Sequence, residues 1–158
     1  MNSNGDVRID SLDRAILRLY QTDTSQPAQA IGAEVGLSAA AVQRRIKRLR
    51  EAGVIEALVA QIDPAAVGLP VTVLVHVDID RETSRHVNAF KAMMRARPEV
   101  QQCWYTTGST DFILVVRVAS LADYERFADM VLVGHDNVSR FTSFVALGEV
   151  KRGVMLQL

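Results

Sequence analysis

Residues 31–55 read IGAEVGLSAAAVQRRIKRLREAGVI, and this stretch decides the fold of the first third of the chain. Two short helical patterns are split by Gly36, a residue suited to the left-handed backbone of a tight turn. Ser38 stands where a helix N-cap belongs, and Gly53 closes the helix that runs from Ala39 to about Ala52. Gly32 lies inside the preceding helix, where glycine costs about 1 kcal/mol against alanine. Tolerating it calls for a close backbone approach, expected where two helices cross. Helix, three-residue turn and helix make a helix-turn-helix pattern.

Working back from there, Pro27 suits a first helical turn and predicts a second helix from about Pro27 to Val35. Upstream, Asp10 and Asp13 flank a helix start, and Leu12, Ala15, Ile16 and Leu19 recur at helical spacing.

Within the third helix, successive residues turn by about 100°. That puts Val42, Ile46 and Leu49 on one side and Ala40, Arg44, Lys47 and Arg48 on the other, with Gln43 and Arg45 on the flanks. One face can dock on its own module while the other enters a major groove. Arginine can hold guanine with two hydrogen bonds, and glutamine can do the same for adenine, so Gln43 and Arg44 are candidates for base reading. Lys47 and Arg48 suit phosphates, which give salt-dependent affinity without sequence information. The candidate DNA-binding set is Ser38, Gln43, Arg44, Arg45, Lys47 and Arg48. A solvated amphipathic helix is the plainer alternative, but the preceding helix, the glycine turn and the cap favour double-stranded DNA as partner.

Gross composition agrees. The 158 residues suffice for one ordinary domain or two small ones, and 49% hydrophobic content is that of a globular chain. Net charge is zero, yet five basic residues fall between Gln43 and Arg50, which leaves a net charge of −5 elsewhere. A concentrated basic patch on a neutral protein favours a local anionic partner. No apolar run approaches the roughly 20 residues that span a bilayer. The start, MNSNGDVRID, lacks the basic and apolar regions of a secretory signal, so a cytoplasmic protein with no membrane partner is expected.

Downstream, the segment VIEALVAQI (54–62) reads as strand, broken by Asp63-Pro64 and then Gly68 and Pro70. Val71, Val73, Val75, Val77 and Ile79 alternate with Thr72, Leu74, His76 and Asp78 in a clear strand. Val87, Phe90 and Met94 mark a helix stopped by Pro98. Strands follow over 100–106 and 112–118. Ser120 caps another helix, with Leu121, Tyr124, Ala128 and Val131 as its expected buried stripe, and 138–150 supplies a last strand. This βαββαβ order is the ferredoxin-like arrangement, with both helices on one sheet face. The other face carries apolar residues such as Leu74, and a second copy is its simplest cover. The expected division is a DNA-binding domain over 7–54, a β-linker over 55–69 and a second domain over 70–158, in an α+β fold.

The loop Thr107-Gly108-Ser109-Thr110-Asp111 is the second candidate site. Gly108 admits close backbone approach, the three hydroxyls are polar, and Asp111 could hold an ammonium group. Equally, it can be a polar hairpin connection with Asp111 making a local turn bond. His76, His86 and His135 show no metal spacing, and Cys103 beside Trp104 reads as core. Asn137-Val-Ser139 matches a glycosylation sequon without consequence in a cytoplasmic chain. No nucleotide fingerprint or nucleophile elbow is present. No cofactor, metal or catalytic residue is therefore expected.

Five segments in order, LDRAILRLYQ (12–21), EVGLSAAAVQRRIKRLREAGVI (34–55), IDPAAVGLPVTVLVHVDI (62–79), TTGSTDFILVV (106–116) and FTSFVALGEVKRG (141–153), resemble the Lrp/AsnC or feast/famine family of transcription regulators. The resemblance implies a winged helix-turn-helix joined to a ferredoxin-like ligand-sensing domain, with dimers through the sheets and often octamers. It also implies amino-acid effectors bound at the loop that here is Thr107 to Asp111. This chain departs from the family at Ser109-Thr110, where relatives often carry an acidic residue and an aromatic. It departs again at Ala39-Ala40-Ala41, which replaces small polar residues and leaves Gln43 and Arg44 more of the reading. Two alternatives to an effector-responsive regulator follow: an effector-independent architectural DNA-binding protein, and a tetrapyrrole decarboxylase-like enzyme of the same fold. The enzyme would need acid–base or ligand groups, and TTGSTDF has no histidine.

Overall fold

The computed structural model describes residues 8–153 and 155–158; residue 7, where the first domain was expected to begin, lies outside them. The chain forms two compact units. One comprises the described residues up to Ala60 together with Lys151–Leu158, and the other is Gln61–Val150. The last eight residues, expected with the second domain, thus group with the first. Side-chain hydrogen bonds explain this. The Gln21 amide donates to the Leu156 carbonyl and accepts from the Leu156 N–H, both at 2.9 Å. Arg18 donates to the Leu158 carbonyl at 3.1 and 2.7 Å.

In the first unit α1 spans Ser11–Tyr20, α2 Ala28–Val35 and α3 Ala39–Glu51. Asp10 caps α1 by accepting from the Asp13 N–H at 2.8 Å, and Asp13 returns the bond by accepting from the Asp10 N–H at 3.1 Å. This reciprocal box satisfies two N–H groups that have no partner inside the helix. Gly36 ends α2 at φ 72°, and Ser38 caps α3 by accepting from Ala41 N at 3.2 Å. Ile16, Ile31, Val42 and Leu49 are fully buried, each side chain stabilising the fold by about 1.5–3 kcal/mol. Gly32 is needed for close approach, as expected, but to the turn: a Cβ there would lie 2.4 Å from the Leu37 carbonyl oxygen.

No strand forms over 54–62. The composition suits one, but a strand is completed by ladder bonds to a neighbour, and within this chain Ala57–Ala60 lie exposed beside none.

In the second unit β1 is Val71–Ile79, α4 Ser84–Arg95, β2 Val100–Tyr105, β3 Phe112–Val118, α5 Leu121–Ala128 and β4 Val138–Val145. The antiparallel sheet has the order β2-β3-β1-β4. Period-two alternation sends Val73, Val75, Val77, Phe112, Leu114 and Val116 to the helix side, where Val87, Phe90 and Met94 of α4 meet them. Phe90 and Phe112 pack with ring centroids 4.5 Å apart. A π-helical turn, Asp129–Val133, continues α5 and buries the adjacent pair Val131 and Leu132. Leu121, expected in the buried stripe, is exposed, and Phe127 is buried instead. β4 stops at Val145, opposite Val73, short of the expected Val150. Asn137, within the sequon-like triplet, is buried and clamps the Arg81 backbone, accepting at 3.0 Å and donating at 3.3 Å.

Candidate nucleic-acid interface and effector loop

α3 carries the first site. Its buried side holds Val42 and Leu49, with Ile46 half-buried, as the wheel predicts. Ser38, Gln43, Arg44, Lys47, Arg48 and Arg50 are exposed, and Arg45 is half-buried. Lys47 lies 3.7 Å from Glu51 one turn on, an exposed pair worth little. Arg44, Lys47 and Gln43 are therefore together on one accessible face.

Arg45 and Arg48 also make contacts within the unit. Arg45 Nη1 donates at 2.8 Å to Asp10 Oδ2 and at 2.8 Å to Asp13 Oδ1. Arg48 Nη2 donates to Asp13 Oδ2. Asp13 is fully buried, whereas its two arginine partners are partly exposed. A carboxylate buried this completely calls for such hydrogen-bonding, charged partners. The hydrogen bond from Arg45, then that from the Asp13 N–H, holds the Asp10 carboxyl below its ordinary value, and the same ion pairs raise Arg45. Sequence reasoning assigned Asp10 and Asp13 to helix capping alone. Their second role depends on residues 32 to 35 positions away, which periodicity does not connect.

A hollow of about 700 Å³ opens on the flank of α3, lined among others by Tyr20, Gln43, Ile46, Lys47 and Arg50. Glu51 and Glu56 also line it, which makes it a poor phosphate cradle.

The loop between β2 and β3 carries the second site. Gly108 has φ 129°, a conformation other residues rarely adopt. Thr107, Gly108 and Ser109 are exposed at its crest, while Thr110 and Asp111 are half-buried. Asp111 Oδ2 accepts from the Ile79 N–H at 2.8 Å, and the Asp111 N–H donates to the Val77 carbonyl at 3.2 Å. Thr110 Oγ1 donates to the same carbonyl at 3.2 Å, and Thr106 Oγ1 donates to the Thr110 carbonyl at 2.6 Å. The plain turn role is thus present for Thr110 and Asp111, which brace the end of β1.

Two residues that the sequence did not single out as site residues stand beside this brace. Arg140 Nε donates to Asp78 Oδ2 at 3.0 Å. Burial works to raise the Asp78 carboxyl, but the neighbouring Thr110 hydroxyl and the Arg140 guanidinium outweigh it and leave it below the ordinary range. The other oxygen, Asp78 Oδ1, is buried with no hydrogen-bond partner among the described residues. Alternation placed Asp78 on the outer sheet face; only the strand register, which pairs it with Arg140, reveals the ion pair.

That outer face also bears Leu74, Trp104 and Phe144, which are 39%, 60% and 48% exposed. Among the described residues no helix is long and apolar enough to cross a membrane, and no cluster of potential metal ligands occurs.

Comparison with known proteins also divides the chain in two, with the second match running through residue 156. Residues 9–50 match the AsnC-type helix-turn-helix domain, and residues 72–156 match the Lrp/AsnC ligand binding domain. A relative from Sinorhizobium fredii, described as the uncharacterized HTH-type transcriptional regulator y4tD, is 38% identical over 145 residues, covering 92% of this chain and 86% of its own. The crystal structure of an AsnC family transcriptional regulator from Agrobacterium tumefaciens superposes with TM-score 0.87 at 30% identity, covering 94% of this chain and 96% of that one. A transcriptional regulator from Neisseria meningitidis, solved as its L-Met complex, gives TM-score 0.87 at 28% identity over 95% and 97% of the two chains. On both halves of its sequence and on its fold, this chain belongs to the Lrp/AsnC family of DNA-binding, helix-turn-helix transcriptional regulators.

Proposed function

We propose that the protein reads an operator through the exposed face of α3 and adjusts that binding to an amino acid held near the Thr107–Asp111 loop. The exposed trio Gln43, Arg44 and Lys47 carries the first half of this reading. Gln43 and Arg44 meet base edges, Lys47 meets phosphate, and Ser38 caps the helix close to the backbone of the DNA. A dimer built on the outer sheet faces presents two such helices, so the operator is a partial palindrome with half-sites about one or two helical turns apart. Octamers would repeat that unit.

Support for the effector comes from the Neisseria meningitidis relative, which was solved with L-methionine. In this chain the exposed crest Thr107-Gly108-Ser109 offers polar groups, and Asp78 or Asp111 the negative charge for an ammonium group. The ligand shifts DNA affinity only by as much as it binds one assembly better than another. The protein works in the cytoplasm as a binding protein, not an enzyme.

Arg44→Ala and Lys47→Ala proteins in a gel-shift titration test the DNA face. The first should relax sequence preference and the second should lower affinity on all sequences. Unchanged binding by both overturns the assignment of α3. Calorimetry against the twenty amino acids tests the effector: no heat from any of them favours an effector-independent architectural protein.

A further inference from the structure

We propose that Asp13 sorts the arginines of α3: it withholds Arg45 and Arg48 from DNA and leaves Arg44, Lys47 and Arg50 to make the contacts. Asp13 is therefore a positioning residue for specificity, acting through two side chains it holds away from the groove. The inference rests on α3 being the DNA face.

The argument begins with a competition. A DNA phosphate is a solvated anion that must draw a guanidinium out of an existing pair. Asp13 is a carboxylate with no exposed surface, bonded by both Arg45 and Arg48 and by the Asp10 N–H. Removing either arginine leaves a fully buried carboxylate with one cation in place of two, which costs more than an exposed pair gains. Arg45 is held twice over, since Asp10 takes the same Nη1. Both arginines therefore remain with the carboxylate when DNA arrives.

Geometry reinforces this. Arg45 and Arg48 lie three residues apart and so share one strip of α3, the strip facing the start of α1. Arg44 and Lys47 form the neighbouring strip, also three apart, and are exposed. Of the five basic residues between Gln43 and Arg50, two serve the module and three serve the ligand. Fewer phosphate contacts mean weaker sequence-independent binding, so base reading by Gln43 and Arg44 supplies more of the total.

The test is the salt dependence of binding by the full-length protein to a duplex of scrambled sequence, followed by fluorescence anisotropy between about 50 and 200 mM salt. Each phosphate contact removed reduces the affinity change over that range by about 3.5-fold. Lys47→Gln should show that reduction. Arg45→Gln and Arg48→Gln should leave the salt slope as in the parent. Asp13→Asn leaves Arg45 on Asp10 but frees Arg48, and should enlarge the affinity change over the same range by about 3.5-fold. It should also narrow the ratio between operator and scrambled DNA. A merely structural Asp13 would weaken binding without steepening it.

If Arg48→Gln or Arg45→Gln flattens the slope as much as Lys47→Gln does, or if folded Asp13→Asn leaves it unsteepened, the sorting inference is overturned while the DNA face stands. If Lys47→Gln and Arg44→Gln both bind like the parent, the DNA face itself is wrong and the sorting falls with it. Should Asp13→Asn fail to fold by circular dichroism, the two arginine variants decide the matter alone.

Discussion

Asp10 does two jobs with one carboxylate, accepting the Asp13 N–H as a helix cap and an Arg45 Nη1 as an ion pair. The first was legible, because an acceptor three residues before an acid is a local signal. The second was not, because its partner lies 35 residues on and only the folded chain brings it near. The same holds for Asp13, whose ion pair with Arg48 also joins residues 35 positions apart. A pH experiment separates Asp10's roles. Its carboxyl is held below the ordinary 3.8, first by the Arg45 hydrogen bond. A depressed carboxyl stabilises the folded unit above its unfolded value, and that stabilisation is lost as pH falls through the folded value. The melting temperature of the parent should therefore drop below about pH 4. Asp10→Asn keeps an equally good cap but loses the charge. It should melt lower than the parent at neutral pH, with the gap closing in acid. A gap that persists unchanged at low pH would assign the effect to packing instead.

Elements were read well where the signal was local. Capping serines, glycine turns and strict alternation located α2, α3, β1 and β3 within a residue or two of their ends. They were read less well where neighbours decide. Residues 54–62 have strand composition without a strand, and the π-turn after α5 buries Val131 and Leu132 side by side, which a 3.6-residue period does not allow for. The effector loop was half legible: its glycine and hydroxyls were evident, but the use of Asp111 by the Ile79 N–H needed the sheet. At this scale Gly32 offers a test with a reversed sign. Alanine in a helix normally gains about 1 kcal/mol over glycine. Here its Cβ would meet the Leu37 carbonyl at 2.4 Å, backbone that cannot swing away like a side-chain tip. Gly32→Ala should destabilise by about 1–3 kcal/mol in urea unfolding. An equal or higher midpoint would mean the turn relaxes freely.

At the level of the molecule, the sheet of the second unit is covered on one face and bare on the other. Leu74, Trp104 and Phe144 form an apolar outer surface that a small unit has reason to hide. On the proposal that copies pair through this face, Trp104→Lys should sediment as a smaller species than the parent in sedimentation velocity at micromolar concentration, with helix content unchanged. A variant that sediments like the parent would place self-association elsewhere.

The chain also visits its first unit twice, leaving after Ala60 and coming back with Lys151–Leu158 to grip Gln21 and Arg18. The DNA-reading module is therefore discontinuous in sequence. Cutting the chain after residue 60 to obtain that module would discard part of it, and residues 151–158 would have to be fused back or added as a separate ligand.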